Sequence, residues 1–323
     1  MRRMTVRAFL FPGQGSQFVG MGRDLADAFP IAREIFEEVD DTLGQKLSRL
    51  MFDGPAEDLT LTENTQPALM AMSMAVLRVL EKEGGFILPA RAAVVAGHSL
   101  GEYSALSAAN ALSVAEAALL LRLRGQAMQS AVPPGEGGMA ALIGVDMDQA
   151  ASICEEATTD PETGRHEVIQ PANDNGGGQV VISGHRGAID RAIELARARG
   201  VKRAVLLPVS APFHSALMAP AADVMAQALA EHPLHAPLVP VIANVTAAKA
   251  TDPAELRDLL VRQVTGTVRW RECVATMLEL GVDTFVELGA GKVLSGLIRR
   301  IAPDATTLSA GTPAEIEALL KTF

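Results

Sequence analysis

The amino-acid sequence predicts an α/β fold: a mainly parallel sheet covered by helices on both faces, with a small second unit inserted into it. Three observations carry this. Short apolar runs alternate with helical stretches through most of the chain, the pattern of strands joined by crossover helices. After Pro133-Pro134-Gly135 the order becomes β-α-β-β-α-β within roughly seventy residues, the ferredoxin-like pattern. The hydrophobic 49% leans on Ala, Leu, Val, Ile and Met, with only 4% aromatics, so the core is aliphatic, as helices packed on a Val/Ile/Leu-rich sheet require. The 323 residues divide into a large domain over 1–132 and 207–323 and a small one over 133–206.

Each element has its own signal. Residues 5–11 read as a buried strand that ends in Pro12-Gly13-Gln14-Gly15-Ser16. Helical periodicity runs over 31–43. Thr65-Gln66-Pro67 reads as a helix start, with proline inside the first turn where its missing N–H costs nothing, and the helix continues to 81. Residues 92–96 are a second strand, followed by Gly97-His98-Ser99-Leu100-Gly101 and a helix over 102–111. Ser113 with Glu116 three residues on forms a capping box for the next helix, which carries Arg122 and Arg124 near its end. In the inserted unit, strands are expected over 139–145, 168–171, 179–183 and 203–209, and helices over 148–157 and 187–199. The large unit then resumes with a helix over 216–231, a strand over 239–243 and helices over 253–264 and 269–280. It ends with a strand over 284–288, the turn Gly289-Ala290-Gly291 and a helix over 292–301.

Charge and cysteine content exclude several classes. The formal net charge of −10 is the wrong sign for a nucleic-acid binder. The only basic groupings are Arg197, Arg199, Lys202, Arg203 and the pair Arg299, Arg300; an acidic chain that meets an acidic partner needs such a local patch. Cys154 and Cys273 are far apart and in no metal-ligand spacing, so neither a disulfide nor a metal site is expected. The basic start Met1-Arg2-Arg3-Met4 is followed by an apolar stretch that Arg7 interrupts and Pro12 stops, which is too short for a signal peptide. No run approaches the length of a membrane span, and the cytoplasm is the expected compartment.

The chemistry concentrates at Gly97-x-Ser99-x-Gly101. Between a strand and a helix, this spacing is that of a nucleophile elbow, with Ser99 on a tight turn that crowds its neighbours. The helix N-terminus behind it aims N–H groups at charge developing on a bound carbonyl, and Leu100 N–H is the natural first donor. The loop over 11–17 lacks the Gly-Lys-Ser/Thr ending of a phosphate loop and has no basic residue before Arg23, so a second N–H from Gln14 is the better reading. A serine hydroxyl needs a base, and six histidines are available. His98 adjoins Ser99 and is expected to point away from it; His166 and His185 belong to the small unit's surface; His232 and His235 flank Pro233 in a polar turn. His214 lies in a loop where the large unit resumes and is the best candidate. No acid between Ser99 and His214 stands out as its orienter, which leaves a main-chain or amide oxygen for that task.

Taken together, these residues resemble one family. Gly13-Gln14-Gly15-Ser16-Gln17, Gly97-His98-Ser99-Leu100-Gly101-Glu102, Arg124-Gly125, Phe213-His214-Ser215 and Val261-Arg262-Gln263 occur in order. With the turn from Asn173 and Asn175 to Gly184 and with Gly289-Ala290-Gly291-Lys292-Val293-Leu294, they look like the malonyl-CoA:acyl-carrier-protein transacylases of bacterial fatty-acid synthesis, over essentially the whole chain. The resemblance implies an α/β-hydrolase-like large domain with a ferredoxin-like small one. It implies that Ser99 is acylated, that His214 is the base with the main-chain carbonyl of Gln263 holding its ring, and that Gln14 and Leu100 N–H groups form the oxyanion hole. Arg124 would pair with the free carboxylate of malonyl, and Asn175 and His98 would line the site. A planar guanidinium binds a carboxylate through two parallel hydrogen bonds that a lysine cannot reproduce. Phe213 stands where methylmalonyl-selective polyketide acyltransferases carry serine, which favours malonyl.

The implied reaction is malonyl transfer from malonyl-CoA to holo acyl carrier protein through a Ser99 ester, in two steps, with no cofactor, by a monomer. The two basic groupings, Arg197, Arg199, Lys202, Arg203 and Arg299, Arg300, are the expected carrier contacts. Rival readings are a serine thioesterase or hydrolase, a stand-alone acyltransferase loading a polyketide synthase, and a non-catalytic acyl- or CoA-binding scaffold.

Overall fold

The structure, a computed structural model, describes residues 5–209 and 211–323. Met1 to Met4, the basic start, and Ser210, in the segment that leads to His214, lie outside the described residues. The strands are β1 (Arg7–Phe11), β2 (Val94–Gly97), β3 (Gly137–Ile143), β4 (Ile169–Asp174), β5 (Gln179–His185), β6 (Arg203–Leu206), β7 (Val241–Ile242), β8 (Lys249–Ala250), β9 (Thr284–Leu288) and β10 (Thr306–Ala310). They form a six-stranded sheet in the order β10-β9-β1-β2-β7-β8 and a four-stranded sheet in the order β4-β5-β3-β6. Pairs in the first sheet are parallel except β7 with β8; all pairs in the second are antiparallel.

β1 explains why the sequence shows continuous apolar runs. Phe9 and Phe11 enter the main core on one face, while Ala8 and Leu10 enter a second core on the other. A parallel strand covered by helices on both faces has no polar side to show. In the small sheet the period-two alternation separates two destinations. Ala140 and Leu142 of β3 face helices Met147–Ala157 and Arg186–Ala198, whereas Met139 and Ala141 join the core of the large unit. The small sheet thus turns one face to its own helices and the other to the six-stranded unit.

The structure departs from the sequence reading in several places. The helix expected to begin at Thr65 runs over Thr62–Gly84, so Pro67 lies inside it. The extra turn sits against helix Val114–Ser130, where Gly125 approaches so closely that a Cβ would lie 2.4 Å from Glu63 Cα. This tertiary contact holds a turn that local propensity would end. Helix Val114–Ser130 runs six residues past Arg124, which is therefore mid-helix and not near a C-terminus. β10 and helix Pro313–Leu320 have no counterpart in the sequence expectations, since the strand's Thr-Thr-Leu-Ser-Ala run is half polar, as an edge strand allows. Cys154 and Cys273 are both buried and free. Among the described residues, no helix is long and apolar enough to cross a membrane.

Candidate active site

The carboxyl ends of β1, β2 and β9 converge on one rim, where open parallel sheets bind ligands. β2 ends at Gly97, and helix Gly101–Ala108 starts four residues later. Ser99, between them, has φ 53°, in the left-handed region that a non-glycine residue adopts only when its surroundings impose it. The two flanking glycines are steric necessities. A Cβ on Gly97 would lie 1.9 Å from the Gly101 carbonyl carbon, and one on Gly101 would lie 2.2 Å from the Phe11 carbonyl oxygen. The turn therefore folds tightly against the end of β1, and its strain presents the Ser99 hydroxyl.

His214, also at a positive φ of 57°, comes from the segment after the small sheet. Its Nε2 lies 2.7 Å from Ser99 Oγ, and its Nδ1 lies 2.8 Å from the Gln263 main-chain oxygen. A carbonyl only accepts, so Nδ1 carries the proton and Nε2 is free to receive one from Ser99. Burial, and then the charge of Arg124, push the imidazole down to about 3. The imidazole is therefore neutral at physiological pH, the state that a general base needs.

Arg124 is only 1% exposed. Its Nη1 donates to Gln66 Oε1 at 2.7 Å, and its Nη2 donates to Gln263 Oε1 at 2.9 Å and to Ser99 Oγ at 3.2 Å. The guanidinium carbon lies 5.8 Å from the Tyr103 ring centroid. Its neighbours are amides, a hydroxyl and a ring; among the described residues no carboxylate is bonded to it. A buried cation held only by neutral groups is poised to take an anion.

Ser99, His214, Arg124 and Gln66 line one cavity of about 460 Å³ between the two sheets, together with Gln14, Leu100, His98, Asn175 and Phe213. Among the described residues, the main-chain N–H groups of Gln14 and Leu100 have no protein acceptor. The Gln14 side chain is held by Thr62, whose hydroxyl donates to its Oε1 at 3.0 Å. His98 does not turn away from the site as its position beside Ser99 led us to expect. Its ring lines the cavity, with Nε2 2.9 Å from Asn175 Oδ1 and the ring centroid 5.5 Å from that of Trp270. The strand ends at Gly97, so the alternation of side chains along a strand no longer applies at His98.

Comparison with known proteins places the chain in a group. The acyl transferase domain profile matches residues 8–309. The malonyl CoA-acyl carrier protein transacylase of Bacillus subtilis (strain 168) is 46% identical over 99% of this chain and 98% of its own. The acyl-carrier-protein-S-malonyltransferase of Bartonella henselae has a crystal structure with a TM-score of 0.94 and 55% identity, covering 98% of this chain and 99% of that one. The chain belongs to the malonyl CoA-acyl carrier protein transacylase family. A further solved relative, 41% identical with a TM-score of 0.93 over 99% of this chain and 100% of that one, is a malonyl-transacylase in complex with its type II PKS acyl-carrier protein.

As a member of the transacylase family, the chain is an acyltransferase, and its site holds residues that the sequence reading did not single out. Asn244, at the end of the β7 segment, accepts from Ser99 N–H through Oδ1 at 2.8 Å and donates from Nδ2 to the Gly97 carbonyl at 2.8 Å. It braces both sides of the elbow. Gln66 and Tyr103 frame Arg124. A polar residue just beyond a strand's carboxyl end is the one signal that points to Asn244; nothing local marks Gln66.

The state of His214 has a measurable consequence. Acylation of Ser99 should change less than about threefold between pH 7.5 and pH 5.5, where a base with an ordinary imidazole pKa would lose about tenfold. Rapid-quench measurement of the acylation step checks this, and a tenfold acid loss centred near 6.5 would contradict it. Stability has the same sign. The unfolded imidazole takes a proton near its ordinary value of 6.5, and the folded one only near 3, so this contribution is complete above 6.5 and declines as pH falls below it.

Proposed function

We propose that the protein transfers the malonyl group of malonyl-CoA to the phosphopantetheine thiol of acyl carrier protein through a malonyl ester on Ser99, supplying extender units for fatty-acid synthesis. The observation that carries this is a buried guanidinium with no carboxylate bonded to it among the described residues, 3.2 Å from a serine oxygen that itself lies 2.7 Å from a neutral imidazole. In the first half-reaction Ser99 Oγ attacks the thioester carbonyl and His214 Nε2 takes its proton. The Gln263 carbonyl steadies the imidazolium, and the N–H groups of Gln14 and Leu100 take the oxyanion. The carbon–sulfur bond breaks, and CoA leaves as a thiol with the proton from His214. The carrier thiol then attacks the Ser99 ester, and the same groups return the hydroxyl. A thioester is exchanged for a thioester, so the transfer is close to balanced in energy. Arg124 holds the free carboxylate throughout, while Phe213, His98 and Asn175 shape the walls around the acyl group.

Intact-protein mass spectrometry tests the proposal. Incubation with malonyl-CoA should add one malonyl group, and holo acyl carrier protein should remove it and become malonylated. Release as free malonate alone would make the protein a hydrolase, and no adduct at all would leave a binding scaffold. The solved relative in complex with a type II PKS carrier supports a second reading, a transacylase that loads a polyketide assembly line. Preference between the two carrier proteins decides between them.

The same proposal includes a large unit over 1–132 and 207–323 and a small one over 133–206, a division supported by the two separate sheets. It also includes a monomer acting in the cytoplasm. For the carrier contact the surroundings favour Arg299 and Arg300. Arg300 lines the cavity and its guanidinium donates to the neutral Gln179 side chain, whereas Arg197 and Arg199 are already paired with Glu194 and Glu156. Lys202 and Arg203 remain secondary candidates. Charge reversal at Arg299 and Arg300 should raise the KM for carrier protein about tenfold and that for malonyl-CoA much less; equal effects would count against docking there.

A further inference from the structure

Glu102 is a carboxyl group with no part in the reaction just described, yet it lies directly beneath it. It is wholly buried in the first turn of the helix that follows Ser99. Its Oε2 accepts from Gln263 Nε2 at 2.8 Å and from the Asn244 main-chain N–H at 3.0 Å. Its Oε1 is buried with no hydrogen-bond partner among the described residues. Burial pushes the carboxyl up to about 7, against the pull of those donors and of Arg124. Either protonation state leaves Oε2 able to accept, with any proton on the unpartnered Oε1.

Gln263 is the link between this carboxyl and the acyl pocket. Its amide has one accepting and one donating end. The donating end faces Glu102 and, at 3.0 Å, the Ser99 carbonyl, so the accepting end faces Arg124 Nη2 at 2.9 Å. Turning the amide over would set its N–H groups against the guanidinium and its oxygen against the carboxyl. A carboxylate placed on Arg124 itself would neutralise the cation and compete with an incoming acyl carboxylate. A carboxyl one amide removed orients the arginine and leaves its charge available.

We propose that Glu102 is a positioning residue for acyl selectivity: it holds the Gln263 amide oxygen on Arg124 and so aims the guanidinium at the free carboxylate of the acyl group. The inference rests on the malonyl reading above and deepens it. It assigns no proton transfer to Glu102.

The test compares Glu102→Gln, which keeps an accepting oxygen for both donors, with Glu102→Met, which fills similar volume and accepts nothing. The readouts are kcat and KM for Ser99 acylation by malonyl-CoA and by acetyl-CoA. Glu102→Gln should keep the malonyl-to-acetyl ratio of kcat/KM within about threefold of the native enzyme. Glu102→Met should lower that ratio about tenfold or more, chiefly through a higher KM for malonyl-CoA. Equal losses for both substrates, or an unchanged ratio in Glu102→Met, would overturn the proposal and reduce Glu102 to support for the turn. Should Glu102→Met fail to fold, Glu102→Asp, which withdraws the oxygen by one methylene, should lower the ratio about threefold or more, and an unchanged ratio there would overturn it equally. A native enzyme with no preference for malonyl-CoA would instead remove the reading of function on which the proposal stands.

Discussion

Ser99→Ala is expected to leave no acyl-enzyme and to lower malonyl transfer by about four orders of magnitude. The substitution removes one oxygen and little else. The proposed nucleophile is lost, and His214 Nε2 and Arg124 Nη2 each lose the partner they share at 2.7 and 3.2 Å. The cavity walls and the guanidinium remain, so malonyl-CoA should still bind with an affinity within about tenfold of the native enzyme. The introduced alanine must also occupy the left-handed backbone that Ser99 adopts at φ 53°, at a cost of about 1 kcal/mol or less relative to serine. Intact-protein mass spectrometry after malonyl-CoA, with isothermal titration for binding, separates these effects. An adduct on the variant, or substantial residual transfer, would place the nucleophile elsewhere.

Arg124→Ala should lower kcat/KM for malonyl-CoA by about a hundredfold or more while acetyl-CoA is spared, so that selectivity collapses or inverts. The reasoning is electrostatic. Arg124 is 1% exposed and bonded to two amide oxygens and a hydroxyl, so its charge has been taken out of water with no carboxylate bonded to it among the described residues. On the proposed reading a malonyl carboxylate supplies an ionic partner, whereas an acetyl group enters the same space and leaves the cation uncompensated. Removing the guanidinium deletes the benefit for one substrate and the penalty for the other. It also leaves Gln66 Oε1 and Gln263 Oε1 without a donor, so some loss of stability of about 1–3 kcal/mol is expected and should be measured alongside. Competition between malonyl-CoA and acetyl-CoA for acylation gives the ratio directly. An unchanged ratio would remove Arg124 from the acyl pocket.

These two residues differ in how far the sequence reveals them. Ser99 is legible because the constraint on it is local: a strand end, two glycines that cannot carry a Cβ and a helix start lie within five residues. His214 is legible only by elimination among six histidines. Its distance from Ser99, across 115 residues of chain, depends on where the small sheet returns the chain to the large unit. Arg124 has no local mark of burial. On a helix rich in leucine and alanine it reads as a surface cation, and only the family resemblance gives it a role. His98 misleads for the opposite reason. Alternation along a strand predicts that neighbours face opposite ways, but the turn has already left the strand at Ser99.

Periodicity, glycine spacing and capping signals, all set by contacts within a few residues, determined the α/β class, the antiparallel insertion and the elbow. The early start of helix Thr62–Gly84, the burial of Arg124 and the bracing of the elbow by Asn244 were decided only by tertiary structure. Each depends on backbone segments far apart in sequence approaching within hydrogen-bonding or van der Waals distance. Such an approach is set by how sheets and helices pack against one another, and no short stretch of sequence carries that information.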